Sequence, residues 1–207
     1  MRLGIFGGSF NPIHIGHLLI GCAAAEAFQL DRVLLLPCSV SPFKVGATDL
    51  APGPDRLEMV RRSVAGDPLF EASDLDLTRG GVSYTVESVR ALHARYPEAR
   101  LFFIIGGDSL RDLPGWSRPD ELIRLVRLGV MRRPGSAPDL TQLEREIPGI
   151  RERVDWIDAP QIEISASALA QRVRAGLSIR YQTPDAVRAY IEEHRLYHTN
   201  VKTVTEP

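Results

Sequence analysis

Residues 2–17 read RLGIFGGSFNPIHIGH, and the succession of residue types along them decides the fold. Arg2–Phe6 is a short apolar run halted by Gly7-Gly8, the pattern of a buried strand that opens into a loop. Beyond the loop, His14 and His17 stand three positions apart, just before an Ala-rich segment of helical character, Leu18–Leu30. At that spacing two imidazoles can project from one face of a helix start. Beneath them lie unpaired backbone N–H groups and the positive end of the helix dipole, so the segment makes an anion site suited to polyphosphate. Adjacent glycines with no third do not make a GxGxxG loop, and no Lys-Ser/Thr follows them for a P-loop. Two alternatives stay open on these residues alone. The histidines can be partly buried structural groups, or belong to a metal site, although no further His, Cys or carboxylate cluster lies nearby to complete one.

Outward from this segment, Arg32–Pro37 (RVLLLP) and Arg100–Ile105 (RLFFII) are further buried strands, the second ending in Gly106-Gly107-Asp108. Leu69–Leu77, Leu128–Met131 and Val154–Ile157 are expected to be extended. Helices are expected over Pro54–Ala65, Thr85–Tyr96, Asp120–Arg127, Asp139–Glu146, Leu169–Ala175 and Pro184–Glu193. Between Cys38 and Pro54 the chain is rich in Ser, Pro, Gly and Ala, and a loop of that length in a compact domain is usually functional or mobile. Continuous apolar strands alternating with helices predict an α/β fold: a Rossmann-like doubly wound, mostly parallel sheet with helices on both faces. Such sheets bind ligands at the carboxyl ends of their strands. Glycine at two of those ends, Gly7-Gly8 and Gly106-Gly107, lets a ligand or another backbone approach.

The composition excludes more than it names. With 207 residues, 44% hydrophobic and 25% charged, this is an ordinary globular chain rather than a disordered one. A single domain over 1–197 is expected, with a helical part from about 165 and an unstructured tail over 198–207. A net charge of −1 argues against a broad basic face for nucleic acid. The longest uncharged apolar stretch, Leu18–Ala25, has eight residues, too few to span a membrane. Two isolated cysteines, Cys22 and Cys38, read as reduced, buried thiols of a cytoplasmic protein. Oligomeric state is not legible here, and a homo-oligomer is compatible with everything above.

The segment GGSFNPIHIGH resembles the GGSFDPxHxGH signature of the adenylyltransferase branch of the HxGH nucleotidyltransferases. The letters HIGH also occur in class I aminoacyl-tRNA synthetases, but no KMSKS-like segment is present and 207 residues leave no room for a tRNA-binding domain. Five further motifs follow in order: RGGVSYT (79–85), IIGGDSL (104–110) with Trp116, VMRRPG (130–135), ISAS (164–167) and SIRY (178–181). Together they resemble the bacterial nicotinate-nucleotide adenylyltransferases from Met1 to about Tyr197.

That resemblance implies adenylyl transfer from ATP to nicotinate mononucleotide, by direct attack on the α-phosphorus and without a covalent enzyme intermediate. His14, His17 and Lys44 would be the catalytic groups. ATP would meet Gly7, Gly8, Ser9, Phe10, His14, His17, Gly106, Asp108, Arg133, Ile164, Ser165 and Ser167. Trp116 would stack on the pyridine ring, the backbone N–H groups of Tyr84 and Thr85 would receive its carboxylate, and Lys44 would also contact substrate. Mg²⁺ would arrive with ATP, held by phosphate oxygens and water rather than by protein ligands. The two histidines, Lys44, Arg133 and helix ends would concentrate positive potential on an otherwise balanced surface.

Three positions depart from the family pattern: Asn11 replaces an Asp, Phe43 replaces the His of Pro-His-Lys, and Ala170 replaces an Arg. They motivate one rival, a nucleotide-binding module with reduced turnover. The enzyme rivals use the same scaffold with nicotinamide mononucleotide or phosphopantetheine as acceptor.

Overall fold

A computed structural model describes residues 1–46, 49–132 and 138–198. Its sheet comprises β1 (Arg2–Gly8), β2 (Arg32–Pro37), β3 (Phe70–Ala72), β4 (Arg100–Gly106), β5 (Arg127–Met131) and β6 (Val154–Ile157). They lie in the order β3-β2-β1-β4-β5-β6, and every pairing between them is parallel. The chain therefore winds outward in one direction from β1 and in the other from β4. That reversal is the position at which doubly wound sheets hold nucleotides.

Alternation along each strand feeds two cores, one on each face. Val33, Leu35, Phe102 and Ile104 pack under α1 (Ile15–Phe28), α2 (Gly53–Ser63), α8 (Ala166–Arg174) and α9 (Asp185–Glu193). Leu34, Leu36, Leu101, Phe103 and Ile105 face α4 (Thr85–Arg95), α5 (Gly107–Arg111), α6 (Pro119–Leu125) and α7 (Leu140–Glu146). Successive strand side chains point to opposite faces, so continuous apolar runs such as RVLLLP are required wherever both faces are covered.

Three expected elements need correction. Leu69–Leu77 is not one extended segment: pairing with β2 ends at Leu35 opposite Ala72, and Leu75–Arg79 turns into a short helix, α3. Arg127 belongs to β5 rather than to the preceding helix, because it pairs beside Phe102 while its Nη2 donates to Asp155 Oδ1 on β6 at 2.7 Å. The first helix starts at Ile15, three residues earlier than its Leu-Ala pattern suggests. Both thiols are free, as expected, but Cys22 is only half-buried. No helix among the described residues is long and apolar enough to cross a membrane.

Candidate active site

The histidine loop is held from behind by the distant C-terminal segment. Thr183 Oγ1 donates to the Ile13 carbonyl at 2.8 Å, and the Ile15 N–H donates to the Gln182 carbonyl at 3.0 Å. His14 caps α1 in extended conformation, and its own N–H donates to His17 Nδ1 at 3.2 Å. That bond leaves the proton of a neutral His17 on Nε2. The two rings stack with centroids 3.7 Å apart, and Phe10 and Phe6 meet His17 edge-on at 5.1 and 5.9 Å. At Gly16 a Cβ would lie 3.1 Å from His14 Nδ1 and 3.2 Å from its Cε1, so a larger residue there would press on that ring.

Burial drives the His14 imidazole down to a pKa of about 4, and burial together with its neighbour holds His17 well below the ordinary histidine range. Near neutral pH both rings are uncharged. The expected positive potential is thus not theirs, and a neutral ring offers a ligand one N–H rather than a charge. His14 Nδ1 is buried without a hydrogen-bond partner among the described residues. Around the pair opens a cleft of about 330 Å³, also bordered by Phe6, Gly106, Gln161, Ile164 and Ser165.

A second cleft, of about 290 Å³, lies beside the first and shares Phe6, Ile105 and Gly106 with it. Gly7, Gly8 and Ser9 form one border, and Trp116, Tyr84, Thr85 and Phe43 form others. Trp116 stands edge-on to Phe103 at 6.2 Å, and its Nε1 is buried and unpartnered among the described residues. The Tyr84 N–H donates to the Val82 carbonyl at 3.2 Å. Of the two amides expected to receive a carboxylate, that of Tyr84 is thus already engaged, whereas that of Thr85, at the first position of α4, has no partner within the helix.

Below this cleft sits a polar network that the sequence did not announce. Ser88 Oγ donates to the buried Asp76 carboxylate at 2.6 Å and Arg79 Nη2 pairs with it at 2.9 Å. Burial raises the Asp76 pKa, against the lowering pull of Ser88, Arg79 and Ser83. Ser83 in turn accepts from the Ser39 N–H at 2.9 Å, tying α3 and α4 to the start of the long loop.

The remaining expected residues fall in different places. Ser165 caps α8, accepting from the Ala168 N–H at 3.2 Å, and its hydroxyl lies 3.4 Å from that of Ser167. Phe10 is buried, so its ring supports His17 rather than facing a cleft. Asp108 lies in the first turn of α5, exposed and paired with Arg111 at 2.7 Å, and borders neither cleft. Lys44 ends a 3-10 turn, Pro42–Lys44, and its side chain lies outside the described residues, as do Arg133 and the tail from 199.

The departures from the family pattern acquire physical meanings. Asn11 is buried and points away from the histidines: Oδ1 accepts from the Ala51 N–H and the Tyr197 hydroxyl, each at 2.9 Å, while Nδ2 donates to the Asp49 carbonyl at 3.2 Å. An ionised Asp has no donor for the last of these. Phe43 stands 6.2 Å from Trp116, as part of an aromatic wall. Arg172 does not stand in for the arginine absent at Ala170, because its Nε and Nη2 both donate to the Ser178 carbonyl.

Among the described residues, no group of three or more His, Cys, Asp or Glu is placed to hold a metal ion.

A cytidylyltransferase-like family model matches residues 5–172. A curated relative from Roseiflexus sp. (strain RS-1), named "Probable nicotinate-nucleotide adenylyltransferase", is 45% identical over 94% of this chain and 97% of its own length. One of the same name from Thermomicrobium roseum is 44% identical over 96% and 92%. A solved structure of Plasmodium falciparum nicotinic acid mononucleotide adenylyltransferase complexed with NaAD superposes with a TM-score of 0.75 at 18% identity, covering 95% of this chain and 97% of that one; it supports the fold. On the relatives' identity and near-complete coverage, together with the ordered motifs, the chain belongs to the nicotinate-nucleotide adenylyltransferase family.

Proposed function

We propose that this protein transfers the adenylyl group of ATP to nicotinate mononucleotide, giving nicotinate adenine dinucleotide and pyrophosphate in NAD biosynthesis. The observation that carries this reading is the meeting of two clefts at Phe6, Ile105 and Gly106, where the sheet order reverses. One presents the histidine pair, and the other presents Trp116 and the open Thr85 amide. A phosphate oxygen of the mononucleotide forms the new bond to the α-phosphorus. The bond from that phosphorus to the bridging oxygen breaks, and its electron pair leaves with pyrophosphate.

Positioning and charge stabilisation do most of the work in such a transfer. His17 Nε2–H donates to the ATP phosphates where charge grows, with His14 beside it. Lys44 and Arg133 bring the cationic charge that the neutral imidazoles lack. Ser165, at the N-terminus of α8, and Ile164 border the adenosine end. Mg²⁺ would enter with ATP, held by phosphate oxygens and water, and would supply neutralisation of phosphate charge. Trp116 stacks on the pyridine, and Thr85 N–H at the start of α4 meets its carboxylate. The free thiols fit the reducing cytoplasm.

The test is pyrophosphate release from Mg-ATP with nicotinate mononucleotide, nicotinamide mononucleotide or phosphopantetheine as acceptor. Release is expected to be fastest with the acid mononucleotide. ATP binding without release for any acceptor overturns the assignment in favour of a binding module.

A further inference from the structure

Arg56 lies on α2, in the stripe that buries Leu57, Met59 and Val60, and is itself only 2% exposed. Its guanidinium reaches three separate stretches of chain. Nη1 donates to the Ser9 carbonyl at 2.9 Å, Nη2 to the Ser39 carbonyl at 3.2 Å and Nε to the Ala51 carbonyl at 3.0 Å. Ser9 belongs to the glycine loop after β1. Ser39 and Ala51 are the two ends of the loop that carries Phe43 and Lys44. Ala51 is gripped from both sides, since its N–H donates to Asn11 while its carbonyl accepts from Arg56.

Among the described residues Arg56 forms no ion pair, so its charge is solvated by carbonyls alone. Burying a charge this way is expensive, and an apolar residue in the same stripe would serve packing at less cost. The planar guanidinium offers what an apolar residue cannot: donors in fixed directions that hold three backbones in one relation.

We infer that Arg56 is a positioning residue for the transfer reaction, setting the pivot of the Lys44-bearing loop against the glycine loop without touching substrate. Through it both ends of that loop, at Ser39 and Ala51, are fixed against Ser9 of the glycine loop. This rests on the adenylyl-transfer reading above.

The experiment is a double-mutant cycle in the full chain, using Arg56→Lys, Arg56→Met and Lys44→Ala under saturating Mg-ATP and nicotinate mononucleotide. Loss of one positioning group is expected to lower kcat by roughly 10-fold for Arg56→Lys and roughly 100-fold for Arg56→Met. In the Lys44→Ala background the same changes should cost less than about threefold, because the group they position is already gone. Losses that simply multiply, or near wild-type kcat in Arg56→Met, overturn the proposal. Should Arg56→Met not fold, Arg56→Lys carries the same cycle. Amide hydrogen exchange over residues 39–51 gives a readout independent of turnover. It should speed up in Arg56→Lys while α4 stays protected, and unchanged exchange overturns the pivot. Absent turnover in wild type, with faster loop exchange in the variant, would instead overturn the reaction while leaving the pivot standing.

Discussion

The two clefts share a border but are built by opposite means. In the histidine cleft each restraint ends on the main chain of the loop: His14 N–H on His17 Nδ1, Thr183 Oγ1 on the Ile13 carbonyl, and Ile15 N–H on the Gln182 carbonyl. The aromatic cleft rests on side chains, in the network of Asp76, Ser88, Arg79 and Ser83. Backbone restraint suits a step whose donors must be fixed and uncharged before substrate arrives. Side-chain restraint suits acceptor recognition, where one residue can change without disturbing the chemistry. Changes on the first side should therefore appear in kcat, and changes on the second in the acceptor KM.

The largest effect is expected from His17→Ala, which removes the Nε2–H donor. Losing one charge-stabilising group lowers kcat by roughly 10²–10⁴-fold. The circular dichroism spectrum and the KM for nicotinate mononucleotide should stay near wild type. A proportionate rise in that KM would show that the two clefts do not divide the work.

Acid should expose the same division. A histidine whose folded pKa is depressed binds its proton more readily in the unfolded chain. Stability is therefore constant above pH 6.5, falls as pH drops from there toward about 4, and has lost the His14 contribution below that. The loss is on the order of 3 kcal/mol. Chemical denaturation from pH 7.5 to 4 should show this limb, and His14→Gln should make it shallower, the remainder belonging to His17, whose pKa is depressed as well. If His14→Gln leaves the limb unchanged, the buried neutral imidazole is not its source.

How much of this was legible in the sequence depended on how local each cause is. RVLLLP read correctly end to end because its apolar run depends only on burial on both faces. The helix over Gly107–Arg111 did not, since glycines carry no periodicity and its Gly106 cap uses no side chain. Arg56 and Asp76 stayed hidden because their partners are remote: the Ser9 carbonyl is 47 residues from Arg56, and Ser88 is 12 from Asp76. A charged residue inside the apolar stripe of α2 was nonetheless a usable signal for the first. The histidine positions were legible, but their charge was not, because protonation depends on burial created by Phe6, Phe10 and the C-terminal segment together.

On the aromatic side, Trp116→Ala should raise the KM for the mononucleotide about 10-fold, since stacking on a base-like ring is worth roughly 1–3 kcal/mol. The KM for ATP and kcat should each move less than about threefold. A larger fall in kcat would mean that Trp116 orients the attacking phosphate as well as holding the ring.

The smallest effect is expected at Asp76, and its sign separates the clefts most sharply. Burial raises this carboxyl's pKa, so the folded protein takes up the proton more readily than the unfolded chain. Acidification through the range from that raised value down to 3.8 therefore favours folding at Asp76, opposite to its effect at His14. Asp76→Asn keeps an acceptor for Ser88 and removes a costly buried charge, but loses the ion pair with Arg79, which keeps its bond to Ser88 Oγ at 3.2 Å. These changes offset, so stability at pH 7 should move by less than about 1 kcal/mol. Asp76→Ala, which takes the carboxylate from both Ser88 and Arg79 and leaves them their mutual bond and the Tyr84 carbonyl, should cost about 1–3 kcal/mol. The informative readout is the acid limb: in Asp76→Asn it should steepen, because the compensating proton uptake is gone. A limb that flattens would mean the carboxylate is stabilised by its network more than it is penalised by burial.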